Sequence, residues 1–401
     1  MALKVKVGVI FGGKSVEHEV SVISGIQAYK NLDAEKYQPV AIYISKKGEM
    51  YTGEALSDIS AFSGDINSLI ESCTRITLVN DCGKINLVRY PSKLFTKNVV
   101  DSIDVALPVV HGTNVEDGTL AGYLHAIGCP YAGCDVLSSA LGMDKYAAKI
   151  IMKAAGLPVL DCVVASRREF MLEKQQVILK IEAATRYPVI VKPVNLGSSV
   201  GIKKAKDTEA LCDALSYAYE FSDRVLVENA VVNMREINCS VLGDKDGARA
   251  SECEEPINHD EILSYADKYL SGGKGGSKGG AKSSGMADAK RLLPAPIDSE
   301  MKTKIQKYAI EAFQSLGCSG VSRVDFLVDK DTDEVYINEI NTIPGSLSFY
   351  LWEATGMKYP ALLDELIRLA LKRERDEEKL NFSFDTNILS GAVLGGSKGK
   401  A

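Results

Sequence analysis

Asp325, Glu339 and Asn341 carry hard oxygen donors of the kind magnesium prefers, and Arg323 stands two residues from the first of them, in VSRVDFLVDKDTDEVYINEINTIPG, residues 321–345. Alternation in 321–328 and 335–340 reads as the two strands of a β-hairpin joined by a polar turn. Glu339 and Asn341 are two apart and share one face of an extended strand, and hairpin pairing brings Asp325 beside them. Three oxygen donors and an arginine at one corner suit phosphoryl transfer, with nucleotide phosphates completing the metal's ligands. The rival is a hairpin whose acids are simply solvated, and this stretch alone leaves both readings open.

Other groups add to the first reading. Lys145 falls in the first turn of a helix over 144–155, a poor place for a cation unless an anion lies nearby. Lys192 ends a strand over 187–192 and leads into PVNLGSSVGI. There Gly197, Ser198, Ser199 and Gly201 form a loop able to cradle phosphates with N–H groups and hydroxyls, although a plain turn has the same composition. The lysine precedes the glycines, so the loop is no Walker A motif. Glu17 begins the helix after Gly12-Gly13, where it suits a substrate ammonium, or merely the helix dipole. Glu236 is a candidate for a ribose hydroxyl pair. Lys268 and Tyr269 precede a Gly/Ser/Lys block, 271–285, that reads as a cationic lid within a mobile loop, 270–288.

The elements that must position these groups fall into an α/β and an α+β part. Strands over 5–11, 37–45 and 105–110, each followed by turn or helix signals, predict an amino-terminal parallel-sheet domain over 1–138, with Met50 and the residues after it an insertion. Helix, strand, loop, strand, helix, strand follows in 139–236, the pattern of a small lid domain; 237–378 would be the catalytic domain and 379–401 a flexible tail. Glu116 and Asp117 would position substrate or cap the helix from Thr119, capping suiting Asp117 better. The 401 residues carry a net charge of -6 and one tryptophan, which argues against a nucleic-acid surface and for a small-molecule substrate. No apolar run is long enough for a membrane span, and nine cysteines without paired short spacing suit a reducing, cytoplasmic setting.

Taken in order, Gly12-Gly13 with EHEVS at 17–21, His111-Gly112 with Glu116-Asp117-Gly118, Met143-Asp144-Lys145, Val191-Lys192-Pro193, Lys268-Tyr269, Arg323-Val324-Asp325-Phe326 and Asn338-Glu339-Ile340-Asn341 with Pro344-Gly345 resemble the D-alanine–D-alanine ligase family of the ATP-grasp superfamily, which includes D-alanine–D-serine ligases. The resemblance implies an ATP-grasp fold and an ATP-dependent ligation of two D-alanines, by way of D-alanyl phosphate, for peptidoglycan precursors. It implies D-amino acid substrates, two magnesium ions or manganese in their place, and a homodimer, with no nucleic acid and no membrane. By resemblance, Lys145, Lys192, Ser199 and Lys268 serve the phosphates, Glu228 and Val231 the adenine, and Glu236 the ribose. Asp325, Glu339 and Asn341 hold the metal. Glu17, Ser198 and Tyr269 bind the first D-alanine, and Arg323 with the Gly345 backbone stabilises the oxyanion. The residues after Gly345, SLSFYL, depart from the family, whose members place a Ser-Leu pair near 350–351 for the second substrate's carboxylate. Tyr350 or Ser348 would replace it. Tyr269 goes with an amine nucleophile.

Overall fold

The computed structural model describes residues 3–257 and 290–383. Lys268, Tyr269 and the loop 270–288 lie outside the described residues, as does the tail from 384 onward.

The first sheet holds β1 (Val5–Gly12), β2 (Tyr37–Ile44), β3 (Met50–Thr52), β4 (Thr74–Asp81), β5 (Lys84–Arg89), β6 (Val99–Ile103) and β7 (Val105–Pro108), in the order β6-β5-β4-β3-β2-β1-β7. Parallel pairing is confined to β1 with β2 and with β7, and the other four pairs are antiparallel. The expected parallel sheet is therefore a mixed one. Its antiparallel half follows from local chemistry: Cys82 and Gly83, at φ 51° and 86°, form the two-residue turn that lets β4 fold straight back as β5. β1 is buried on both faces, with Val7, Val9 and Phe11 in one core cluster and Ile10 in another.

The second sheet, in the order β10-β9-β11-β8, comprises β8 (Cys162–Ser166), β9 (Val189–Pro193), β10 (Lys203–Ala205) and β11 (Arg224–Asn229). Alternation divides it sharply. Val189, Val191, Val225 and Val227 enter the core against the helices Lys174–Ala184 and Thr208–Ala218, while Lys192 and Glu228 occupy the other face.

The third sheet, in the order β14-β13-β12-β15-β16, contains β12 (Met234–Asp244), β13 (Gly247–Pro256), β14 (Arg291–Leu292), β15 (Gly320–Asp329) and β16 (Val335–Asn341). Ile237, Cys239, Val241, Val324 and Phe326 pack with Ile305, Ala309 and Phe313 of the helix Ser299–Ser315. The opposite face carries Asn238, Ser240, Arg323 and Asp325. The final helix, Tyr359–Glu377, sends Leu362, Leu363, Leu366 and Ile367 into the core under β1, so the end of the chain closes its beginning. It continues to Glu377 because Arg, Glu and Lys in the charged stretch are good helix formers.

Candidate active site

The central hairpin forms as its alternation predicts, β15 pairing with β16 in the register Arg323 with Asn341 and Asp325 with Glu339. A bulge between Asp325 and Phe326 shifts the register directly behind these pairs. Arg323 grips Asp325 through a two-bond fork, Nε to Oδ1 at 2.6 Å and an Nη to Oδ2 at 2.7 Å, and Asn341 Nδ2 donates to Oδ2 at 3.0 Å. Both charges are buried. Burial opposes the guanidinium's charge, but Asp325 outweighs it and holds the arginine well above its ordinary value.

Beside this pair, Glu17, Ser198, Lys145, Arg323, Glu339, Asn341 and Gly345 line one narrow pocket with His111 and Glu116. The Ser198 hydroxyl donates to Glu17 Oε1. The backbone passes close to this carboxylate at two glycines: a Cβ on Gly197 would lie 2.7 Å from Glu17 Oε2, and one on Gly112, whose φ of 83° itself favours glycine, 2.8 Å from it. Glu116 accepts the N–H of Gly112 at 2.9 Å and of Ile343 at 3.0 Å. Burial, then the neighbouring Glu17 carboxylate, push the Glu116 carboxyl up to about 8 against those two donors. His111 bonds the Ile343 carbonyl at 2.9 Å and Ser24 Oγ at 3.1 Å, and burial lowers its pKa. Glu116 thus ties the end of β16 to the first sheet. Asp117 caps, accepting the N–H of Thr119 at 3.1 Å.

Past Gly345 the chain makes a turn no periodicity signals. Ser346, Leu347 and Ser348 have φ of 51°, 52° and 49°, three successive non-glycine residues in the left-handed region, each strained by about 1–2 kcal/mol. Ser24 Oγ receives the Ser346 N–H at 3.0 Å, and Gln27 receives its hydroxyl at 2.8 Å. Among the described residues the buried Ser348 Oγ has no hydrogen-bond partner, whereas the Tyr350 hydroxyl donates to Glu254 at 3.0 Å beneath the stacked Arg291 guanidinium.

The second and third sheets face each other across a cleft of about 440 Å³ lined by Lys192, Ser199, Glu228, Val231, Glu236, Asn338 and Glu339. Lys145, in the narrow pocket, donates to the Leu196 carbonyl at 2.8 Å and pairs with Glu339 at 3.2 Å, which compensates a cation at a helix start. Lys192 pairs with Glu228 at 2.5 Å and donates to Asn338 at 3.0 Å. Behind them Lys149 pairs with Glu228 at 2.9 Å. Burial raises the Glu228 pKa, but Lys192 and Lys149 together prevail and hold it below the usual range. Sequence reasoning passed over Lys149, although a lysine four residues after Lys145 on a helix whose other inward residues are apolar is a legible signal.

Among the described residues no cluster of three His, Cys, Asp or Glu side chains is arranged to hold a metal. Two carboxylates and an amide, Asp325, Glu339 and Asn341, nevertheless meet at one end of the hairpin, and this donor set fits magnesium that takes its remaining ligands from phosphate and water. Their present partners, Arg323 and Lys145, are cations standing where positive charge is called for.

Two family models cover this architecture: one described as D-ala D-ala ligase N-terminus matches residues 6–134, and one described as D-ala D-ala ligase C-terminus matches 151–368. The chain belongs to the D-alanine–D-alanine ligase family. The D-alanine–D-alanine ligase of Acetivibrio thermocellus is 41% identical over 400 residues, covering 94% of this chain and 99% of that protein. That of Thermosipho melanesiensis is 38% identical over 384 residues, covering 96% and 98%. Among solved structures, the D-alanine–D-alanine ligase of Coxiella burnetii superposes with a TM-score of 0.77 at 32% identity, covering 94% of this chain and 97% of that one. The VanG D-Ala:D-Ser ligase of Enterococcus faecalis gives 0.74 at 31%, covering 92% and 100%. The fold is the ATP-grasp fold of this ligase family, and the family uses ATP.

Proposed function

We propose that the protein joins two D-alanine molecules into D-alanyl-D-alanine at the expense of ATP, with ADP and phosphate as products, for peptidoglycan precursors. The observation that carries this reading is the convergence of Glu17, Ser198, Arg323, Glu339 and Asn341 on one pocket, next to a cleft lined by Lys192 and Glu228.

The residues divide the work. Glu17, oriented by Ser198, receives the ammonium of the first D-alanine, whose carboxylate oxygen attacks the γ-phosphorus as the bond to ADP breaks. Lys145 and Lys192 meet the phosphate oxygens, Ser199 lies at the phosphate end of the cleft, and Glu236 holds the ribose beside Val231 and the Glu228 backbone. Asp325, Glu339 and Asn341 would hold magnesium, or manganese in its place, which would supply positive charge for the phosphoryl oxygens. The amine of the second D-alanine, having lost a proton, then attacks the acyl carbon. Arg323, turned from Asp325, and the Gly345 N–H hold the oxyanion until the carbon–oxygen bond to phosphate breaks. Lys268 and Tyr269 complete the phosphate and first-substrate sites.

For the second substrate's carboxylate Ser348 is favoured over Tyr350, because its hydroxyl is buried with no partner among the described residues while that of Tyr350 is committed to Glu254. Ser348→Ala should raise KM for the second D-alanine about tenfold with the first unchanged. The enzyme is further proposed to be a cytoplasmic homodimer; light scattering at monomer mass would remove the dimer. No helix among the described residues is long and apolar enough to cross a membrane.

Mass spectrometry of products from mixed D-alanine, D-serine, D-lactate and L-alanine with ATP and magnesium tests the whole reading. D-alanyl-D-alanine should dominate. D-alanyl-D-serine as the main product would move the protein to the other ligase, and no product containing D-alanine would end the proposal.

A further inference from the structure

The mechanism leaves Lys149 unused, yet its side chain is buried within the wall of the nucleotide cleft. Side-chain exposures of 4% for Lys149, 5% for Lys192 and 2% for Glu228 make this a dry triad of two ammonium groups on one carboxylate. Burying three charges is costly, and two cations on one anion leave a surplus positive charge in the interior. Stability alone would be served as well by an apolar residue at 149 beside a simple Lys192–Glu228 pair.

The geometry shows what the third charge supplies. Lys192 holds Glu228 Oε1 at 2.5 Å and is the only one of the two lysines that lines the cleft, whereas Lys149 approaches Oε2 at 2.9 Å from the helix Lys145–Ala154 behind it. A Lys192 that turns toward an incoming phosphate must loosen its hold on Glu228. Without a second cation, that motion would leave a buried carboxylate uncompensated, the costliest way to break a buried pair.

We propose that Lys149 is a positioning residue for nucleotide binding, the standing counter-charge of Glu228 that frees Lys192 to engage the phosphates of ATP. The same reasoning accounts for its placement: a lysine whose task is to compensate Glu228 need not line the cleft, and Lys149 does not. The depressed Glu228 carboxyl, on which both lysines act, agrees with a carboxylate that stays ionised throughout. The inference rests on the proposed use of ATP at this cleft.

Equilibrium binding of ATP to the full chain, by calorimetry, with KM for ATP and for each D-alanine, provides the test. Lys149→Met should weaken ATP binding at least about tenfold, with KM for both D-alanines unchanged and thermal stability reduced. Lys149→Arg should restore binding to within about threefold. In a Glu228→Gln background, where no charge needs compensation, adding Lys149→Met should change ATP affinity by less than about twofold. A large further loss in that background would mean that Lys149 acts on the nucleotide itself and would overturn the proposal. So would Lys149→Met with lowered stability but unchanged ATP affinity. If Lys149→Met alone does not fold, the comparison within the Glu228→Gln background still decides. A wild-type chain that binds no ATP would instead fail the function proposed above.

Discussion

Two buried charge clusters stand on different sheets, and they are built on opposite plans. On the second sheet, Glu228 is shared by Lys192 and Lys149, so one cation can leave without stranding the anion. On the third, Asp325 and Arg323 form a closed fork, with Asn341 the further donor to the carboxylate and no second cation in the fork. The first cluster is ready to receive an anion as it stands. For the proposed reaction the second would have to open, because Asp325 and Arg323 hold each other.

That contrast can be broken experimentally. The largest effect belongs to Arg323→Ala: ligation should fall by on the order of a thousandfold or more while ATP affinity stays within about threefold, since the arginine lies on the acyl side. If ATP binding collapsed as well, the division between the two clusters would be false. Next comes the stability asymmetry, read from chemical denaturation. Asp325→Ala strands a buried guanidinium and should cost about 3–5 kcal/mol, whereas Lys192→Met leaves Glu228 with Lys149 and should cost clearly less. Equal losses would remove the distinction between a closed pair and a shared carboxylate.

The smallest effect concerns the clamp between the sheets. Glu116 has a folded-state pKa raised to about 8 from an ordinary 4.5. Its stabilising contribution is therefore complete below the unfolded value and is lost as pH rises through about 8, when a second carboxylate charge appears beside Glu17. Wild-type stability should therefore decline between about pH 4.5 and about pH 8 and level off above it, and Glu116→Gln should flatten that slope while sacrificing part of its contact with Gly112 or Ile343. An unchanged slope in the variant would assign the decline to another group.

Most elements were legible in the chain because their signals are local. Alternation marked β15 and β16, and the apolar runs over 5–11 and 37–45 marked β1 and β2. The residue types of the site were legible too, since Glu339 and Asn341 share a strand face by spacing and hairpin pairing brings Asp325 beside them. What escaped were partners. Glu116 reaches Ile343 across 227 residues, and nothing in the spacing around either tells of the other. The left-handed run Ser346–Ser348 also escaped, because serine and leucine are not residues that ask for positive φ; Ser24, Gln27 and the surrounding packing impose it.

By itself, then, the sequence determined the strands, the helix starts, and the inventory of lysines and oxygen donors on each element, because these depend on neighbours within a few residues. Tertiary structure alone decided which charges pair. Lys149 became part of the nucleotide wall, Arg323 the guard of Asp325, and Glu116 a raised acid, because burial and electrostatic energy depend on what other segments bring within a few ångströms.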